Sequence, residues 1–273
     1  MRRFNKFQFS TTALSERRFF TLFTMRLNRF TACSLHLVIS AGIAISILLG
    51  MKLVWYPDPY FEAIEAGRLI LILVAVDVIM GPLITLIIYN QNKPKLKRDL
   101  LIVVLLQLAA LVYGMYAVFT ARPVYAVFNV DRFDLVVAAE IDPAELKKAE
   151  RPEFKSLPLW GPQIIAAKLP LNENELKAIL FSSVRGGADV QHLPKYYVPY
   201  ADMMETAKRK AMPLAKLREK AGGAALVDRF IAYDSHHETQ LGFVPFRGRK
   251  KDFSVVLDLN TGKVAGFLLI DPY

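Results

Sequence analysis

Residues 69–89 read Leu-Ile-Leu-Ile-Leu-Val-Ala-Val-Asp-Val-Ile-Met-Gly-Pro-Leu-Ile-Thr-Leu-Ile-Ile-Tyr. At about 1.5 Å per residue a helix of this length spans roughly 30 Å, the thickness of a bilayer's hydrocarbon core. A helix in water needs one apolar face, whereas this run is apolar all round. It therefore predicts a helix that lives in lipid. Two features break its uniformity, the single acid Asp77 and the dipeptide Gly81-Pro82.

The flanking sequence extends this reading. Residues 34–55 and 100–119 are apolar runs of similar length, which predicts three transmembrane helices (34–55, 69–89 and 100–119) in a membrane domain over 34–119. Lys52 and Trp55-Tyr56 close the first run, where a lysine snorkels and aromatic rings prefer the interface. The loop 57–68 carries Asp58, Glu62 and Glu65, while the loop 90–98 carries Lys93, Lys95, Lys97 and Arg98. Residues 1–33 form a basic arm, with Arg2, Arg3, Lys6, Arg17, Arg18, Arg26 and Arg29 against the single acid Glu16. Met25 opens a second plausible start, and 1–24 show no helical period. Basic segments stay on the cytoplasmic side. The arm and the 90–98 loop are thus expected inside, on the cytoplasmic side, and residues 120–273 outside.

The bulk numbers agree. Of 273 residues 53% are hydrophobic, more than a wholly soluble chain of this size usually carries. The net charge of +10 is read as lysines and arginines that set orientation, with anionic lipid or an acidic partner as the other reading. Nucleic acid is disfavoured for a domain outside the membrane. One cysteine, Cys33, rules out an internal disulfide and a cysteine-rich metal site.

The outer 120–273 reads as one α+β domain with an antiparallel sheet. Val124–Val130 and Phe133–Ala138 are strand-like. Asp142-Pro143 and Asn172-Glu173-Asn174-Glu175 are helix starts. Helices follow near 200–210 and 213–221. Gly242–Phe246, Phe253–Leu259 and Val264–Ile270 close the chain as strands, the last two joined by Asn260-Thr261-Gly262-Lys263.

Chemistry is sparse. Asp77 is the first candidate, because acids inside a membrane segment are costly and tend to be functional. Counted along each run, Asp77, Ser46 and Tyr113 all lie at a depth of roughly 18–20 Å, Lys52 about 9 Å further, and His36 at only about 3 Å. Ser46 and Tyr113 are level hydrogen-bond donors, and Lys52 can lean back toward the acid. Asp77 is then packing glue between helices or a contact for a partner's membrane helix. Transport or aspartyl proteolysis is the remaining option, and proteolysis needs a second acid that no other run supplies. Gly81 and Pro82 form a kink that improves packing or a docking notch. His236-His237 with Asp234 and Glu238 is a weak metal pattern, since adjacent histidines on a strand point apart. Arg247, Arg249, Lys250 and Lys251 form a basic cluster, read as a solvated face or as a contact for lipid or an acidic partner. No catalytic motif, cofactor motif or metal set emerges, and the reading is non-enzymatic.

Several stretches together resemble the inner-membrane accessory proteins of bacterial type IV pilins. They are Met25–Phe30, Val76–Leu86 around Asp77, Arg122–Phe133 (Arg-Pro-Val-Tyr-Ala-Val-Phe-Asn-Val-Asp-Arg-Phe) and the closing Asp271-Pro272-Tyr273. The family often closes on tryptophan where this chain has Tyr273. The resemblance runs from Met25 to the end. It implies support for assembly or surface display of a cognate pilin, which is the partner alongside membrane lipid. A pilin carries an apolar amino-terminal helix in the membrane and a globular head outside it. The alternative is a membrane-anchored sensor or transporter subunit with a periplasmic ligand-binding domain.

Overall fold

The computed structural model describes residues 28–65, 67, 70–71, 74–233 and 237–273. Residues 1–27, with most of the basic arm, lie outside the described residues.

Helix α1 runs from Arg29 to Trp55, its last turn widened into a π turn over Met51–Trp55. It begins where Asn28 caps it, the side-chain oxygen accepting from Thr31 N at 2.8 Å. A single short helix, α2, follows at Tyr60–Ile64. Helix α3 comprises a π turn, Ala75–Met80, continued by Gly81–Ile88. Helix α4 is Leu96–Thr120.

The expectation of three spanning helices is corrected here. Among the described residues two helices are long and apolar enough to cross a membrane, Arg29–Trp55 with 27 residues and Leu96–Thr120 with 25. The described apolar helix of the middle run is Ala75–Ile88, in the 10–17-residue class. Gly67, Ile70, Leu71 and Val74 ahead of it are helical too, and residues 68, 69, 72 and 73 between them lie outside the described residues. Composition counted this stretch as one long rod, but it contains a wide turn at Asp77 and a proline inside its second segment. Only 17% of α1's apolar window and 11% of α4's is buried, so neither is the interior helix of a globule. Their leucines, isoleucines and valines point outward, a surface suited to lipid.

Helices α1 and α4 run in the same direction. Leu35–Ala44 of α1 faces Leu100–Leu111 of α4, and Met51–Trp55 faces Met115–Phe119. Trp55 meets Phe119 edge-on at 5.3 Å, and the Tyr56 hydroxyl donates to Val118 O at 2.8 Å. Between them α3 runs back, with Thr85 beside His36.

The rest is one eight-stranded sheet: β1 Pro123–Asn129, β2 Arg132–Val137, β3 Gln163–Ala167, β4 Tyr197–Pro199, β5 Met212–Pro213, β6 Leu241–Arg247, β7 Phe253–Asp258 and β8 Val264–Leu268. Their order is β4-β3-β1-β2-β6-β7-β8, with β5 also on β6. The sheet is mixed, which corrects the antiparallel reading. β1 is parallel to β3 and β2 to β6. The connections 138–162 and 200–240 are long enough to carry the chain across before a strand returns.

Helices cover it: α5 Glu173–Val184, α6 Met204–Lys210, α7 Ala215–Arg218 and α8 Gly223–Tyr233. β1 is buried at every position, so both faces are covered. One face packs Phe128, Phe133, Phe246 and Phe253. The other packs Tyr125, Val127 and Ile165 with Phe154, and further along Phe243 and Val256 under Leu217 and Val227. Tyr60 and Ala63 of α2 belong to the first face, although they precede the sheet by some sixty positions. The Tyr60 ring sits 5.8 Å from both Phe246 and Phe267.

Candidate functional site

The groove between α1, α3 and α4 is the main candidate. It has a volume of about 390 Å³. Its walls are mostly aliphatic, and Leu35, Ile39, Ile43, Val104 and Leu108 on its rim are exposed, so it opens sideways. Asp77, His36, Ser40, Thr85 and Gln107 are its polar lining.

The backbone explains why they meet. In a π turn each N–H bonds the carbonyl five residues earlier. In that register the Asp77 carbonyl faces residue 82, a proline without an N–H. The Gln107 side-chain amide fills the gap, its Nε2 donating to Asp77 O at 3.4 Å. Such borrowing is how a broken helix survives away from water. Gly81 makes room for that amide. A Cβ built there would stand 1.9 Å from Gln107 Nε2. On the other wall His36 Nδ1 lies 2.6 Å from Thr85 Oγ1, with Thr85 itself buried. One carboxylate oxygen of Asp77 stays unmatched: Oδ1 is buried and has no hydrogen-bond partner among the described residues.

Of the residues singled out from sequence, Asp77 lines the groove, while Gly81 and Pro82 are buried behind it in the same helix, Gly81 against Gln107. Ser46 does not join them; its hydroxyl donates to Gly42 O of its own helix at 2.8 Å. Tyr113 is 74% exposed on the outside of α4. Lys52 pairs with Asp58 at 3.3 Å and lies 5.6 Å from the Phe61 ring. His36, Ser40, Thr85 and Gln107 take the places that Ser46 and Tyr113 were expected to hold. Depth counting from run ends misjudged His36. A usable signal was present in the spacing: His36 and Ser40 are four apart, and Asp77 and Thr85 eight apart, so each pair shares one helix face. Gln107 was the polar residue standing in an apolar helix.

The basic cluster lies in the β6–β7 turn. Arg247 Nε donates to Asp134 Oδ1 at 2.6 Å, Arg249 pairs with Glu140, and Lys251 pairs with Glu62 at 3.0 Å. The backbone N–H groups of Arg249, Lys250 and Lys251 converge on Ala63 O at 3.2, 3.0 and 3.4 Å. The turn thus grips α2 from the sheet side, and Lys250 is exposed beside it. Asp134 is buried within β2; burial pushes its carboxyl above the usual carboxylate range, with Arg247 and then Arg132 pulling against it. Glu238 is held by Arg218 at 2.9 and 3.0 Å. Asp234 and His236, the other members of the weak metal pattern, lie outside the described residues.

The chain is 31% identical over 233 residues to "Fimbrial assembly protein, serogroup I" of Dichelobacter nodosus, covering 83% of this chain and 89% of that protein. It is 30% identical over 232 residues to the serogroup E1 protein of the same organism, with the same coverage. A third relative, the fimbrial assembly protein of serogroups C1 and C2, is 35% identical over 119 residues, 42% of this chain and 89% of that protein. No protein-family model matches the chain, and no solved structure matches it.

Proposed function

This chain belongs to the family of fimbrial assembly proteins, and from that premise we propose that it is a non-enzymatic inner-membrane protein that supports assembly or surface display of a cognate type IV pilin. In this reading α1 and α4 sit in the bilayer. Their amino-terminal ends, with Lys93, Lys95, Lys97 and Arg98 beside the start of α4, face the cytoplasm. The sheet domain at their other ends faces the periplasm. The parallel run of α1 and α4 supports this placement, because both carry the chain from the basic side to the sheet.

The observation that carries the reading is the side-opening groove with its unmatched Asp77 oxygen. An apolar helix approaching through lipid would fill the aliphatic slot. A donor or cation on that helix would satisfy the carboxylate, which is worth more there than in water. The apolar amino-terminal helix of a pilin fits this description, and the sheet domain is placed to meet the head that follows it.

The test compares gene deletion with Asp77→Leu. Deletion should remove surface pili and twitching with the chain's own pilin. Asp77→Leu should keep normal membrane abundance, since no described side chain donates to the buried oxygen, yet reduce piliation toward the deletion level. A photoreactive residue at Val104 should cross-link the pilin. Full piliation after deletion would overturn the proposal.

A further inference from the structure

A second surface lies where the helices meet the sheet. The loop 155–162 leaves the sheet domain, touches the ends of α1 and α4, and returns into β3. Two hydrogen bonds hold it there. Trp55 Nε1 donates to Leu159 O at 3.1 Å, and Gly161 N donates to Val54 O at 2.8 Å. Gly161 takes a φ of +39°, in the left-handed region that favours glycine. Arg122, buried under the loop, donates to Phe119 O at 2.7 Å and to Pro158 O at 3.4 Å. The loop is therefore fastened, not draped.

Its tip is the odd part. Leu159 and Trp160 are 60% and 74% exposed, although the loop is tied down on either side of them. With Met51, Trp55, Met115 and Phe119 they border an apolar hollow of about 440 Å³. That hollow continues the outward apolar surface of α1 and α4, where Leu53 and Tyr116 are also exposed. Lys155 stands at the polar end of the same loop, exposed. An indole beside an aliphatic side chain, with a lysine behind them, suits the layer between headgroups and acyl chains.

We propose that Leu159 and Trp160 insert into the interfacial layer of the bilayer beside Trp55, so that the sheet domain is seated on the membrane rather than carried above it. The occupant of the hollow is lipid acyl chain. This rests on α1 and α4 being membrane-embedded, as in the reading above.

The chain has two tryptophans, Trp55 and Trp160, so each can be observed alone. Full-length Trp55→Phe and Trp160→Phe variants in phosphatidylglycerol/phosphatidylethanolamine nanodiscs are titrated with nitroxide lipids labelled near the headgroup or deep in the chain, and with aqueous acrylamide. The expected result is that Trp160, seen in Trp55→Phe, is quenched by the shallow nitroxide as strongly as Trp55 is in Trp160→Phe. It should be quenched less by the deep one and protected from acrylamide. Because Trp55→Phe removes a hydrogen bond to the loop, Leu159→Cys carrying a fluorophore, in a Cys33→Ser chain with both tryptophans, repeats the measurement. Shallow lipid quenching of Trp55, with acrylamide but no lipid quenching at Trp160 and Leu159, overturns the seating alone. Loss of lipid quenching at Trp55 as well overturns the membrane reading from which it starts.

Discussion

Gln107 and Gly81 depend on each other. The amide occupies the space where a side chain at 81 would begin, and it serves a carbonyl that Pro82 cannot serve. Gly81→Ala should displace the amide, and Gln107→Ala should remove it. Each is expected to cost about 1 kcal/mol, the scale of an interhelical hydrogen bond in lipid. The double variant should be no worse than Gln107→Ala alone, which thermal unfolding in detergent will read as coupling; full additivity would separate the two residues. Asp134 yields a pH prediction. Its carboxyl is held above the ordinary value of 3.8 by burial. The folded chain therefore binds a proton that the unfolded chain has released, and stability from this group falls as pH rises above 3.8 through the raised value. Asp134→Asn should flatten that part of the stability–pH curve, measured by urea unfolding at stepped pH. From sequence, Asp77 and the Gly-Pro pair were legible as exceptions in an apolar run. Their partners were not, because hydropathy sees composition while the contact is set by helix face and by the wide turn that rotates it.

The elements were legible to different degrees. Capping chemistry located helix starts well: Asp142 accepts from Ala144 N at 2.7 Å and Asn172 from Asn174 N at 2.9 Å, where the sequence placed them. Apolar content located α1 and α4, but a run of isoleucines and leucines does not show the π turn over Ala75–Met80 that widens α3. The strand Val124–Val130 is apolar at nearly every position instead of alternating, a pattern that belongs to strands covered on both faces. That pattern pointed to the mixed, doubly covered sheet, and the antiparallel reading missed it. Helix α8 and strand β3 went unread, although Gly222 and Gly161, both at positive φ, mark turns just ahead of them. Orientation also belongs to this scale. Alkaline phosphatase fused after Tyr273 should be active, and fused within the loop at Asn92 it should be inactive. The reverse pattern would invert the parallel pair α1 and α4.

At the scale of the molecule, the sheet's core reaches back across the helices. Tyr60 is 5% exposed among Phe246, Phe253 and Phe267. Removing it should leave a cavity that the sheet cannot close locally. Tyr60→Ala is expected to cost about 3 kcal/mol or more, the range of large aromatic truncations. Differential scanning fluorimetry of the purified chain will show it, and an unchanged melting temperature would mean that the ring contributes little. A fragment of 120–273 lacks this ring and should melt lower than the full chain for the same reason. The join between helix and sheet has a mechanical meaning. Helix α4 ends at Thr120, and β1 begins at Pro123 in the interior of the sheet, flanked by β2 and β3. Arg122, in the two-residue gap, is buried, and Ala138 N bonds its carbonyl at 3.0 Å. A load borne by α4 is therefore delivered to the middle of the sheet and not to an edge strand.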